Sequence, residues 1–98
     1  MNITEVVIRK IYHYSTLKAL ISVTIHEEFV IHDIKVIEGG MGRLFVALPS
    51  RKEKSGKYRD VAHPKTSKAR KSFEAQILSA YHEHLEKAYL PETGVINA

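Results

Sequence analysis

The hydrophobic period of this chain changes once, at His63-Pro64, and that change decides which folds are open to it. Ahead of it the clearest segment repeats every second residue: Leu17, Ala19, Ile21, Val23 and Ile25 share one face, and Lys18, Ser22, Thr24 and His26 share the other. Leu20 interrupts the polar side, so that side is not fully wet. Ile3 to Tyr12, rich in β-branched side chains, reads as a strand before it, with a hairpin over His13 to Thr16. A third strand lies in Phe29 to Glu38, strongest from Asp33 onward, after a turn at Glu27-Glu28. Gly39-Gly40-Met41-Gly42 offers the positive φ values of a tight reversal. Arg43 to Leu48 is a fourth strand, stopped by Pro49, which has no N–H for a ladder. Pro49 to Lys57 reads as a mobile basic loop and Tyr58 to Ala62 as a short fifth strand.

Beyond Pro64 the spacing becomes helical. Thr66 or Ser67 is the N-cap, and Ala69, Phe73, Ile77, Ala80, Tyr81, His84 and Ala88 form one stripe. The helix ends before Pro91, leaving residues 91–98 as a flexible tail after a single domain over 1–90. Strands first and a helix last predict an α+β domain: a small antiparallel sheet of about five strands and a C-terminal amphipathic helix. One helix covers one sheet face. The other face, with Leu20 and a mixed first strand, calls for a second copy, so a homodimer is expected.

Charge is unevenly placed. Ten of the 15 Lys and Arg residues lie between Arg43 and Lys71, against two acids, Glu53 and Asp60, so the formal +4 conceals a local +8 opposed by −4 elsewhere. Such a concentration repels itself and fits a polyanionic partner, DNA or RNA, although a lysine-rich loop also serves as plain solvated surface. With 98 residues there is room for one core and no deep cleft between lobes. There is no cysteine for a disulfide or thiolate metal site. No apolar run nears the roughly 20 residues that cross a bilayer, and the first residues lack the pattern of a signal peptide. A soluble cytoplasmic protein without membrane insertion is expected.

Within the basic segment, Lys68, Arg70 and Lys71 occupy the first helical turn, where the macrodipole disfavours each cation by about 0.3–1 kcal/mol. Free N–H groups beside three cations make a receptor for phosphate. Lys68 and Lys71 point away from the apolar stripe; Arg70 shares the side of Ile77 and Tyr81, where it would pair with a buried carboxylate or reach a partner copy. Arg51, Lys52 and Lys54, with Lys65 nearer the helix, supply further backbone contacts, and Arg51 and Arg59 suit bidentate ones. Tyr58 could stack on a base but is more typical of core. The six histidines hold no metal-binding spacing, and His63 is better explained by local bonding at the corner before the helix. Gly39 to Gly42 lacks the Lys-Ser or Lys-Thr of a phosphate loop, and no nucleophile elbow accompanies Ser50, Asp60 and His63. No metal, cofactor, small-molecule substrate or catalysis is expected.

Several ordered stretches together resemble the SpoVG family of bacterial septation and sporulation regulators. They are Phe29 to Gly39, Leu44 to Lys52, Tyr58 to Pro64, and the helix from Ser67 through Arg70, Leu78 and Tyr81. The resemblance implies a small cytoplasmic α+β homodimer without enzymatic activity. It also implies selective binding of DNA and RNA through basic residues around the start of the C-terminal helix, and a part in controlling cell division and septation. Arg70 matches such a position, and Arg51 and Lys52 match the basic pair after Pro-Ser. Lys65 and Lys71 depart from the family pattern, which points to a different target preference. The competing expectation is a protein-interaction module of the septation machinery whose polyanion binding is incidental.

Overall fold

In the computed structural model, which describes residues 1–89, strands occupy the chain up to Asp60 and one helix follows. The strands β1 (Ile3–Ile11), β2 (Leu17–Ile25), β3 (Phe29–Glu38) and β4 (Leu44–Ala47) form an antiparallel meander in sequence order. A single 3-10 turn, Gly40–Gly42, joins β3 to β4. Then β5 (Ser50–Lys52) pairs with β6 (Tyr58–Asp60) in a separate two-stranded sheet, and α1 (Ser67–Tyr89) packs on the larger one. The class is α+β, as the period change requires.

The four β1 residues that pack on the core, Ile3, Val6, Ile8 and Ile11, are spaced three, two and three apart, which looks irregular until the register is followed. Ile3 opposes Ile25, Val6 opposes Val23, Ile8 opposes Ile21 and Ile11 opposes Ala19. The ladder skips Thr4 and Arg9, and each skipped residue is a bulge that resets the in–out parity of the strand. These four side chains therefore reach the core side of the sheet, while Val7, opposite Ser22, does not join them. β3 uses the same device. Ile31 opposes Val23 and Ile34 opposes Ile21, leaving His32 and Asp33 against the single Ser22. Asp33 sits in the left-handed region at φ 61°, which Asp tolerates better than a β-branched residue.

The core is the result. Ala19, Ile21, Val23, Ile34 and Val36 are fully buried in the sheet, and Val46 and Leu48 join them beneath Phe73, Ile77 and Tyr81 of α1. Among the described residues the opposite face carries no helix. Lys10, Leu20, Lys35 and Ala47 form one row across it, and Lys18 pairs with Glu38 at 3.2 Å. Lysine stems beside Leu20 explain how that side chain stays half-buried there.

Four expectations need correction. Pro49 to Lys57 is no mobile loop, because Ser50–Lys52 is a strand. The last strand stops at Asp60 and lies outside the main sheet, since nothing apolar in it meets the core. The positive φ values of the β3–β4 reversal fall on Met41 and Gly42 alone within that run. His84 is exposed, and Leu78 and Leu85 pack on the core instead, since the helical stripe turns away from His84. The Ala88 side chain and the expected 91–98 tail lie outside the described residues. Replacing Ile77, which is fully buried, by alanine should cost about 2–5 kcal/mol in urea unfolding. The same change at His84 should cost under about 0.5 kcal/mol.

Candidate nucleic-acid interface

The basic segment forms a hairpin followed by a helix start. Ser50 opposes Asp60, Arg51 opposes Arg59 and Lys52 opposes Tyr58. One further bond, from the Val61 N–H to the Pro49 carbonyl at 2.8 Å, prolongs the pairing toward the core. Glu53 to Lys57 closes the hairpin: the Glu53 N–H donates to the Lys57 carbonyl at 2.7 Å and the Gly56 N–H to the Glu53 carbonyl at 2.9 Å. Gly56 supplies φ 91°, which a side chain would resist.

Every residue of β5 and β6 is exposed, so no core holds them, and an isolated two-stranded hairpin is marginal in water. Arg51 directly opposite Arg59 opposes like charges, where an unlike pair would contribute roughly 0.2–1 kcal/mol. Glu53 relieves this in part through a 3.1 Å bridge from its Oε2 to Arg59 Nε. Arg51, Lys52, Lys54 and Arg59, with Glu53, Asp60 and Val61, line an open concavity of about 590 Å³. Tyr58 is 71% exposed, against the expectation of a core aromatic, because this hairpin contributes nothing to the core.

The helix start is built at Thr66. Its Oγ1 accepts the Ala69 N–H at 3.0 Å and its carbonyl accepts the Arg70 N–H at 2.9 Å. The cap leaves the Ser67 and Lys68 N–H groups directed out of the helix end. No acid lies in the first turn to offset Lys68, Arg70 and Lys71. Just before it, His63 Nδ1 donates to the Pro64 carbonyl at 2.9 Å, which fixes the ring locally.

Arg70 connects the two parts. Its guanidinium lies 3.9 Å from Asp60 Oδ2, tying β6 to the first turn of α1. The pairing expected for Arg70 is therefore present, but with a half-exposed carboxylate, since Asp60 sits on an uncovered strand. Both acids of the segment are thus engaged by arginines. Among the described residues no ion pair engages Arg43, Arg51, Lys52, Lys54, Lys57, Lys65, Lys68 or Lys71. Lys65, Lys68 and Lys71 are exposed on the connection and helix, while Arg51, Lys52 and Lys54 are exposed on the hairpin. The Asp60 contact and the exposure of Tyr58 escaped the sequence. The hairpin itself left a signal: a five-residue segment with Gly56, flanked by two short polar stretches.

Residues 1–83 match the family model described as SpoVG. A protein of Agathobacter rectalis named "Putative septation protein SpoVG" is 50% identical over 86 residues, covering 88% of this chain and 98% of its own. Proteins of the same name from Heliobacterium modesticaldum and Clostridium botulinum are each 49% identical. They cover 90% and 94% of this chain, and 98% and 100% of their own lengths.

A double-mutant cycle on Asp60→Ala and Arg70→Ala should give a coupling of at most about 1 kcal/mol in thermal unfolding, as suits a long, half-exposed pair. A coupling several times larger would mean the contact holds the hairpin in place by itself.

Proposed function

The chain belongs to the SpoVG family, and from that membership we propose that it is a dimeric DNA- and RNA-binding regulator acting in bacterial cell division and septation, with a further part in sporulation control. The relatives' names support the septation role. The observation that carries the binding is the set of cations without ion pairs on the hairpin and helix start, two elements joined by Arg70 and Asp60. Folding draws nothing from this charge, since the hairpin has no buried side chain and the helix start opposes its own dipole.

The roles divide by chemistry. Lys68 and Lys71, beside outward N–H groups, take phosphate, and Lys52, Lys54 and Lys65 extend that contact along a strand. Arg51 is the one hairpin arginine without a carboxylate partner, which leaves its fork open to a base edge. Tyr58, opposite Lys52, offers an exposed ring for stacking. Arg70 acts mainly through Asp60, positioning the hairpin against the helix. The reading contains no catalytic step and no cofactor, and it places the protein in the cytoplasm.

A second reading is favoured by Val61, 67% exposed at the edge of the same concavity. An apolar side chain among cations suits a protein partner of the septation machinery, with polyanion binding incidental. Such a module would bind random and selected oligonucleotides alike.

With four to six phosphates neutralised, raising salt from about 50 to 200 mM should weaken binding roughly 10²–10³-fold in a fluorescence-anisotropy titration. A flat response would remove the electrostatic mechanism. Changing Lys68 and Lys71 together to alanine, with Arg70 kept to hold Asp60, should abolish a gel shift without altering circular dichroism. An intact shift would move the site elsewhere.

A further inference from the structure

We propose that a small-molecule site lies on the face of the main sheet away from α1, where Arg9 takes the carboxylate and Asp33 the ammonium of a free α-amino acid. The site shares no residue with the basic hairpin or the helix start. It therefore goes beyond the nucleic-acid reading and stands or falls apart from it.

The backbone prepares the site. Both ladders of β2 break at the same level of that strand. Arg9 is skipped between the pairs Ile8–Ile21 and Lys10–Leu20. On the other flank His32 and Asp33 crowd against Ser22, between the pairs Ile21–Ile34 and Val23–Ile31. A bulge re-aims the side chains beside it, and bulges recur next to active sites. Asp33 adds a left-handed conformation, φ 61°, within a strand, and such conformations gather where a ligand is clamped.

Elsewhere in the sheet a skipped residue has a partner in the chain. Thr4 Oγ1 donates to the Thr24 carbonyl at 3.3 Å and accepts the Glu27 N–H at 2.9 Å. Lys18 pairs with Glu38. Arg9 and Asp33 differ: neither enters an ion pair, with each other or with any described residue. Together with Leu20, Ile21, Ser22 and His32 they line an open concavity of about 390 Å³, a volume suited to a small ligand. Ser22, the buried polar residue among those described, forms its floor. The 2.8 Å bond between Ser22 Oγ and His32 Nδ1 anchors the imidazole there and leaves Nε2 as its unengaged nitrogen.

The charges select the ligand. A simple anion drawn to Arg9 meets the carboxylate of Asp33, and a simple cation drawn to Asp33 meets the guanidinium of Arg9. A molecule carrying both charges side by side satisfies both, and an α-amino acid carries them on one carbon. The guanidinium fork holds a carboxylate through two parallel bonds. The Asp33 carboxylate accepts from the ammonium, His32 Nε2 offers a further polar contact, and Leu20 gives the ligand's side chain an apolar wall.

The standard L-amino acids, each titrated singly to about 10 mM into the isotope-labelled full-length chain, should include at least one that saturably shifts the backbone amide signals of Arg9, Ser22, His32 and Asp33. The N-acetyl and amide forms of that amino acid, each lacking one of the two charges, should bind at least about tenfold more weakly. Arg9→Gln and Asp33→Asn should each weaken binding by about tenfold or more, and Asn tolerates the left-handed backbone as Asp does. Circular dichroism checks that each variant is folded. The blocked ligands test the unaltered chain, so they decide the matter even where a variant fails to fold. No saturable shift from any amino acid, equal binding of an acetylated or amidated form, or unchanged binding by either folded variant overturns the site.

Discussion

One helix lies over one sheet, so the large apolar side chains that build the core must reach a single dry face. A strand delivers side chains to alternate faces, and one misplaced residue reverses all that follow it. β1 and β3 keep their core-packed residues in phase by breaking their ladders at Thr4, at Arg9 and at His32-Asp33. Without those breaks Ile3 and Val6 could not share a face, nor could Ile31 and Ile34. The core of Ile21, Val23, Ile34 and Val36 beneath Phe73, Ile77 and Tyr81 depends on this phasing. The left-handed Asp33 and the bond between Ser22 Oγ and His32 Nδ1 at 2.8 Å sit where it is achieved in β3.

What the sequence revealed follows the same logic. β2 was plain to read because nearly all its apolar residues keep strict alternation, and α1 because its stripe meets the sheet along most of its length. β1 looked mixed because a bulge cannot be seen in one strand; it exists only in relation to a partner. β5 was hidden for a different reason. Ser50-Arg51-Lys52 has no apolar residue to alternate, so its strand character comes from pairing with Tyr58–Asp60 and from the turn at Gly56. His84 was placed on the inner stripe by counting alone, and the packing of Leu78 and Leu85 shows where that stripe runs.

For the candidate site, sequence supplied the cations and the structure supplied their arrangement. Arg51, Lys52 and Lys54 were a charged loop until the hairpin gave them a strand and a facing Arg59. Lys68 and Lys71 were legible as a helix start from Thr66 onward. Arg70 was identified as the odd member by its place on the wheel, yet no sequence rule names Asp60 as its partner. That contact depends on how the chain turns through Val61 to Pro64, where the Val61 N–H holds the Pro49 carbonyl and His63 holds Pro64.

The hairpin and the core are joined by few interactions, and this bears on how the charge can be carried at all. Leu48 ends the buried part of the chain before β5, and past β6 the first fully packed side chain is Phe73. Between them the Pro49–Val61 bond prolongs the exposed hairpin toward the core, and the Asp60–Arg70 pair ties it to the helix. Repulsion among its cations is therefore borne by a two-stranded element that has little stability to lend, while the packed sheet and helix are spared. A negative charge laid beside Arg51 and Arg59 would relieve the repulsion between them.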